Sequence, residues 1–113
     1  ISLLAVDIRT SLLENLVALH LVRKYGSKDA IYHYNHGIEV DFYIPETETA
    51  IQVCYTIKDA TVTSDREIKG LSQIGKKLSC RRRVIVTYED EAELDYDGLK
   101  IEVIPAWKLL LQE

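Results

Sequence analysis

The chain has 113 residues, 47% of them hydrophobic, which suits one buried core and predicts a single domain over residues 1–113. Its formal net charge of −4 argues against a protein that binds nucleic acid or a membrane surface along its whole length, because both need excess positive charge. Two cysteines are too few for a disulfide framework, and no apolar run is long enough to span a bilayer. We therefore expect a cytoplasmic protein that makes no membrane contact.

The first half of the chain predicts one helix followed by three strands. Apolar residues recur at three- and four-residue steps over residues 11–24, as on one face of a helix, and Gly26 is a suitable terminator. The segments 31–35 and 38–44 predict two strands of a hairpin. The β-branched and aromatic run at 50–57 is too apolar for a surface strand and predicts a central one.

The next segment predicts a helical crossover between two strands. Ser64 followed by Glu67 has the spacing of a capping box, and helical periodicity continues over residues 65–79. The segment RVIVTY at 83–88 then predicts a strand. A strand, a helix and a strand of this length predict two parallel strands joined by a right-handed crossover, so the sheet should be mixed.

The end of the chain predicts a loop, a strand and a helix. Residues 89–97 are strongly acidic and predict a loop that leads to Gly98. A short strand follows at 99–104, and Pro105 begins a terminal helix. The predicted fold is α/β, a mixed sheet with flanking helices in the order helix-β-β-β-helix-β-β-helix.

Strand alternation predicts where polar side chains meet. Asp41 should lie on the face of its strand opposite Val40 and Phe42, while Gln52 and Cys54 share a face of the next strand. If these strands pair antiparallel, the three polar side chains converge on one side of the sheet. The first helix could bring Glu14 over them.

These positions carry a resemblance. Glu14 in LLENLV, Asp41 in GIEVDFYI and the strand IQVCY together resemble the PD-(D/E)xK nuclease superfamily, whose pattern is a helix Glu, a strand Asp and a strand Glu-x-Lys. The chain is most similar to the domain of unknown function that ends many prokaryotic AAA+-type ATPases. The resemblance covers residues 11–111. Because the sequence starts at Ile1 in a helical pattern and contains no methionine, we expect it to be a piece of a longer protein. The resemblance implies that this piece is the C-terminal part of a larger ATPase.

The resemblance implies a restriction-endonuclease-like core and a Mg²⁺ site that hydrolyses phosphodiesters, with carboxylates holding the ion and a lysine positioning water. Glu14 and Asp41 match the family's carboxylates, but Gln52 and Cys54 stand where the Glu and Lys belong. Glu14, Asp41 and Gln52 would hold Mg²⁺ weakly, if at all. Glu14 could equally be a solvated carboxylate, and Cys54 a small buried hydrophobe.

Two functions follow. The first is a non-catalytic, nuclease-like module that serves an attached or associated ATPase by docking to nucleic acid or to a partner. The alternative is a Mg²⁺-dependent DNA or RNA nuclease in which a displaced lysine acts. Lys58, Lys69 and Lys76 are the candidates for that lysine.

A cluster of basic residues and a pair of histidines are further candidates for binding roles. Five of the fourteen basic residues fall within eight positions: Lys76, Lys77, Arg81, Arg82 and Arg83. The negative end of a helix explains the two lysines. Three consecutive arginines exceed that explanation and predict contact with DNA, RNA or an acidic partner surface. His33 and His36 have no complete zinc ligand set in sequence and are expected at the surface.

Overall fold

The computed structural model describes residues 3–58 and 62–112. Its helices are α1 (Leu3–Tyr25), α2 (Val62–Ile74) and α3 (Ala106–Leu111). Its strands are β1 (Tyr32–Asn35), β2 (Glu39–Ile44), β3 (Thr49–Val53), β4 (Arg82–Thr87), β5 (Ala92–Tyr96) and β6 (Leu99–Pro105). Within these two ranges, no helix combines the length and apolar character needed to cross a bilayer.

The strands form one mixed, six-stranded sheet in the order β1-β2-β3-β4-β6-β5. The first three strands pair antiparallel. Strand β3 then pairs parallel with β4 after the crossover through α2, and β4 pairs parallel with β6. The predicted mixed sheet and the central position of β3 are therefore confirmed.

The two faces of the sheet bury separate hydrophobic clusters. Helix α1 covers one face together with α3, and the buried residues there include Val17, Ile51, Val53, Val84 and Val86. Helix α2 covers the other face. Its cluster is built from Val40, Tyr43, Ala50, Cys54, Leu71, Ile74, Ile85, Ile101 and Val103. Strand β3 contributes to both clusters, as expected of a strand covered on both sides.

Several predicted boundaries differ from those observed. Helix α1 begins at Leu3 rather than at residue 11. Helix α2 begins at Val62 and ends at Ile74, so Ser64 lies inside its first turn rather than at the N-cap, and the side chain of Ser64 is outside the described residues. Strand β3 ends at Val53 rather than at residue 57, although the Cys54 N–H still donates to the Val86 carbonyl oxygen of β4 at 3.0 Å.

The prediction of an acidic loop at 89–97 is wrong, since Ala92–Tyr96 form the edge strand β5. This strand pairs antiparallel with β6 across a two-residue turn at Asp97 and Gly98, whose φ angles are 54° and 81°. Asp-Gly favours such a turn because both residues must adopt positive φ. The acidic residues suit an edge strand, where charge discourages pairing with other chains. The observed order is therefore helix-β-β-β-helix-β-β-β-helix.

Candidate functional site

A β-bulge shapes the site at Asp41. The pairing of β1 with β2 shifts register, so that Asp41 and Phe42 together lie opposite a single residue, His33. Phe42 packs towards α1, whereas Val40 packs towards α2. The prediction that Val40 and Phe42 share a face is therefore wrong. The bulge interrupts strict alternation and reorients the Asp41 region relative to a regular strand.

At the bulge, side chains replace the backbone pairing between β2 and β3. The last regular pair is Phe42 with Ile51. Beyond it, the Asp41 backbone N–H donates to Gln52 Oε1 at 2.8 Å, and the Val53 backbone N–H donates to Asp41 Oδ2 at 2.8 Å. These two hydrogen bonds keep the backbone donors paired where the strands separate.

The Gln52 amide is held on both sides by backbone groups. Its oxygen accepts from the Asp41 N–H, while its nitrogen donates to the carbonyl oxygens of Glu39 at 2.9 Å and Glu67 at 3.3 Å. The residue is only 1% exposed. Gln52 therefore joins β3 to β2 and α2 at once. A glutamate could not reproduce this arrangement, because an ionised carboxylate only accepts hydrogen bonds.

Gly70 allows α2 to approach this amide. A Cβ atom at Gly70 would lie 2.6 Å from the Glu39 carbonyl oxygen and 2.7 Å from Gln52 Nε2. Both distances are too short for a carbon contact, and the carbonyl belongs to a backbone held within the sheet. Gly70 is thus a packing residue that brings α2 within hydrogen-bonding distance of Gln52.

Cys54 is a buried, neutral thiol. It is 3% exposed and belongs to the cluster beneath α2. Burial raises the pKa of Cys54 to about 12, and the negative charges of Glu67 and Asp90 add to the shift. A thiol in this state neither replaces the ammonium of a lysine nor acts as a nucleophile.

Four carboxyl groups influence one another around the bulge. Burial raises the pKa of Glu14 on α1, and the charges of Asp41 and Glu39 raise it further. Burial also raises the pKa of Asp41, although the hydrogen bond from the Val53 N–H opposes this. Burial and the charge of Asp41 raise the pKa of Glu67 to about 8. Glu67 therefore keeps its proton to a higher pH than a solvated glutamate does.

The donor set does not fit the expected Mg²⁺ ion. Of the four positions, Asp41 and Gln52 are in direct contact, and Glu14 lies near enough for its pKa to respond to Asp41. The Gln52 oxygen, however, is directed at a backbone N–H, and Cys54 lies in the core. Mg²⁺ requires several hard oxygen ligands in near-octahedral geometry. No step of metal-assisted hydrolysis follows from these residues.

The proposed replacement lysines do not complete the site. Lys58 lies 3.3 Å from the buried carboxylate of Asp90. Lys69 and Lys76 are exposed, on α2 and on the turn after it. Among the arginines and lysines, Arg66 is the residue that lowers the pKa of both Asp41 and Glu67, and His33 also lowers the pKa of Asp41.

His33 and Glu39 join Asp41, which the sequence reasoning did not foresee. Potential ligand atoms of the three residues all lie within 4.8 Å of one another. His33 is exposed as expected, but it faces Glu39 across the hairpin and Asp41 across the bulge. Its neighbour His36 packs edge-on against Tyr34 instead. The pairing of 31–35 with 38–44 was the signal that could have revealed this group.

The predicted basic cluster is divided by intramolecular contacts. Arg81 pairs with Glu48 at 2.6 Å, and Arg82 pairs with Glu102 on the neighbouring strand β6 at 2.6 Å. Arg83 donates to the Leu71 carbonyl oxygen at 2.8 Å. The other two members, Lys76 and Lys77, are exposed on the turn that follows α2. Each of the three arginines therefore has an intramolecular partner, and they do not form a single patch of unpaired positive charge.

A protein-family model matches most of the chain. The model of the family described as "Domain of unknown function (DUF4143)" matches residues 9–109. No curated protein and no solved structure matches the chain. The family match spans most of α1, the whole sheet and most of α3.

The raised pKa of Glu67 predicts how the stability of the protein depends on pH. Its ordinary pKa is 4.5, and the folded value is about 8, so the unfolded chain releases this proton first as the pH rises. The folded state therefore loses stability progressively between these two values. Glu67→Gln should change little below pH 4.5 and should stabilise the protein by roughly 1–3 kcal/mol at pH 8, after allowance for solvent screening.

Urea unfolding at several pH values measures this difference. Glu89→Gln, at an exposed position, is the matched control and should follow the wild type throughout. A stability difference between Glu67→Gln and wild type that does not grow with pH would contradict the burial of this carboxyl group.

Proposed function

The chain belongs to the DUF4143 family, and we propose that it is a nuclease-like module without nuclease activity that docks onto an AAA+-type ATPase. In this proposal, the helix, three strands, helix and strand from α1 to β4 correspond to a restriction-endonuclease-like core. Glu14 and Asp41 occupy the positions of two of its carboxylates. The ATPase is either the remainder of the same polypeptide or a separate subunit.

The hydrogen bonds of the Gln52 amide are the main observation against nuclease activity. Its two nitrogen-bound hydrogens are directed at the Glu39 and Glu67 carbonyl oxygens, and its oxygen accepts from the Asp41 N–H. The position that would supply a metal-binding carboxylate thus performs a structural task that needs an amide. Next to it, the Cys54 thiol is buried and neutral, so the lysine position also lacks a cation.

The outer face of α1 supports docking. The helix buries Leu13, Val17 and Leu21 against the sheet, yet its opposite side is also apolar. The exposed apolar side chains there are Ile8 (53%), Leu12 (64%), Leu16 (40%), Leu19 (62%) and Val22 (38%). Contiguous exposed apolar surface on a protein marks a site of interaction with a partner. We refer to these five residues as the outer stripe of α1.

The apolar outer stripe of α1 and the paired arginines of the basic cluster favour a protein partner over nucleic acid. The outer stripe of α1 offers hydrocarbon surface, which stabilises protein interfaces but does not neutralise phosphates. Within the basic cluster, Arg81 and Arg82 already pair with carboxylates. The resemblance to domains that end AAA+-type ATPases makes such an ATPase the specific partner proposed.

Cleavage assays test the catalytic half of this proposal. Purified protein should not cut single- or double-stranded DNA or RNA in Mg²⁺, because neither Gln52 nor Cys54 can supply the missing groups. Asp41→Asn removes the carboxylate but retains an oxygen acceptor for the Val53 N–H. Asp95→Asn, on the edge strand β5, is the matched control for the substitution.

Wild-type cleavage that EDTA abolishes, that Asp41→Asn eliminates and that Asp95→Asn preserves would overturn the proposal. It would establish the alternative, a Mg²⁺-dependent nuclease with a displaced lysine. Restoring the family residues with Gln52→Glu and Cys54→Lys is the complementary comparison. We expect that variant to be destabilised, because the new carboxylate would face two carbonyl oxygens.

Site-specific photo-crosslinking in cells tests the docking half. A photoreactive amino acid at Leu12 or Leu19 should crosslink to an AAA+-type ATPase, or to an ATPase segment of the same polypeptide, as identified by mass spectrometry. The control position is Lys69, which is exposed on α2. Crosslinks only to proteins of other classes, or none above the Lys69 control, would contradict docking through the outer stripe of α1.

A further inference from the structure

We infer that the β1–β2 hairpin binds a borderline transition-metal dication such as Zn²⁺ through His33, Glu39 and Asp41. This site differs from the Mg²⁺ set considered above, with which it shares only Asp41. Its existence does not depend on the proposed ATPase partner or on the lack of nuclease activity. The inference rests on the geometry of the hairpin.

Strand pairing and the bulge bring the three residues together. His33 lies on β1, and Glu39 and Asp41 lie on β2. Because the bulge sets Asp41 and Phe42 opposite His33, the Asp41 backbone carbonyl comes within hydrogen-bonding distance of the imidazole. Nitrogen and oxygen ligand atoms from the three side chains then lie within 4.8 Å of one another.

The imidazole is oriented as a metal-binding histidine is. His33 Nδ1 lies 3.3 Å from the Asp41 backbone carbonyl oxygen, and a carbonyl can only accept, so Nδ1 carries the hydrogen. In the neutral ring this leaves the lone pair on Nε2, which lies 3.8 Å from Glu39 Oε1. Metal-bound histidines commonly donate their other ring N–H to a backbone carbonyl or carboxylate in this manner.

The distances are close to those of a loaded site. Ligands placed 2.0–2.2 Å from a tetrahedral Zn²⁺ are roughly 3.4 Å apart. Small side-chain rotations of His33 and Glu39, which are both about half exposed, would close the 3.8 Å separation. Ligand atoms of all three residues lie within 4.8 Å of one another, and the Val53 N–H holds one oxygen of the Asp41 carboxylate. Its second oxygen is the ligand atom we assign.

The ligand types select the class of metal. One imidazole nitrogen and two carboxylate oxygens suit Zn²⁺ or Co²⁺, whereas Mg²⁺ and Ca²⁺ favour oxygen-only sets. Three protein ligands leave one tetrahedral position for water or a small anion. A cavity of about 230 Å³ adjoins the site, with His33 and Asp41 in its wall beside the apolar Ala18, Val22 and Phe42.

The competing explanation is a simple ion pair between protonated His33 and Glu39. Metal binding and an ion pair differ in one measurable respect, since only the former gives a saturable, stoichiometric complex. The experiment therefore uses protein freed of metal with EDTA and then titrated with Zn²⁺ by calorimetry. Co²⁺ is titrated in parallel, because its visible absorption reports coordination number. A Cys80→Ser background removes the partly exposed thiol as an alternative ligand.

We expect one Zn²⁺ per chain and at least tenfold weaker binding in His33→Ala and in Glu39→Gln. His36→Ala is the matched control, because His36 lies on the same hairpin but outside the group, and it should bind as wild type does. Thermal melting in EDTA should be the same for all variants, which separates lost ligands from lost fold.

Three results would overturn the inference: no saturable Zn²⁺ binding, equal affinity in His33→Ala and wild type, or a loss in His36→Ala as large as in His33→Ala. Titration with Mg²⁺ should give at least a hundredfold weaker response, and comparable affinities would contradict the metal class assigned. None of these outcomes depends on cleavage activity or crosslinking, so failure here and failure of the proposed function are distinguishable.

Discussion

The buried amide of Gln52 is the constraint on which the site depends. It lies where β2 and β3 stop pairing through their backbones, and it supplies one acceptor and two donors to the Asp41, Glu39 and Glu67 main chains. An unpaired buried polar group costs about 1–3 kcal/mol, so each contact helps to fix the local geometry. Gly70 completes the arrangement by allowing α2 to lie against the amide.

The hydrogen bonds of Gln52 decide which residues near Asp41 can bind a metal ion. The Gln52 amide and the Asp41 carboxylate stabilise the separated ends of β2 and β3, and the Gln52 oxygen is thereby withdrawn from a magnesium site of the expected kind. The bulge that accompanies them also sets Asp41 opposite His33, where ligand atoms of Asp41, His33 and Glu39 lie within 4.8 Å of one another. The region of the β-bulge therefore disfavours a Mg²⁺ site at Glu14, Asp41 and Gln52. It brings together the three residues of the Zn²⁺ site that we propose.

Sequence patterns predicted the elements that depend on local periodicity, including β3 as a central strand and α2 as a crossover. The Asp97-Gly98 turn is typical of a hairpin, but the acidic composition of the segment before it is more typical of a loop, and β5 is a strand because it pairs with β6. The bulge could not be predicted, since it depends on how β1 and β2 pair. The partners of Arg81, Arg82 and Arg83 depend similarly on strand neighbours distant in sequence, such as Glu102.

Hydrogen exchange at the side-chain amides of the three glutamines tests the central claim most directly, by NMR of ¹⁵N-labelled protein. If both Gln52 hydrogens are held by backbone carbonyls, they should exchange far more slowly than those of Gln73 and Gln112, which are only partly buried. The Gln52 pair should also be shifted away from the usual side-chain amide region. Exchange of the Gln52 amide as fast as that of Gln73 would contradict a structural role and reopen this position as a metal ligand.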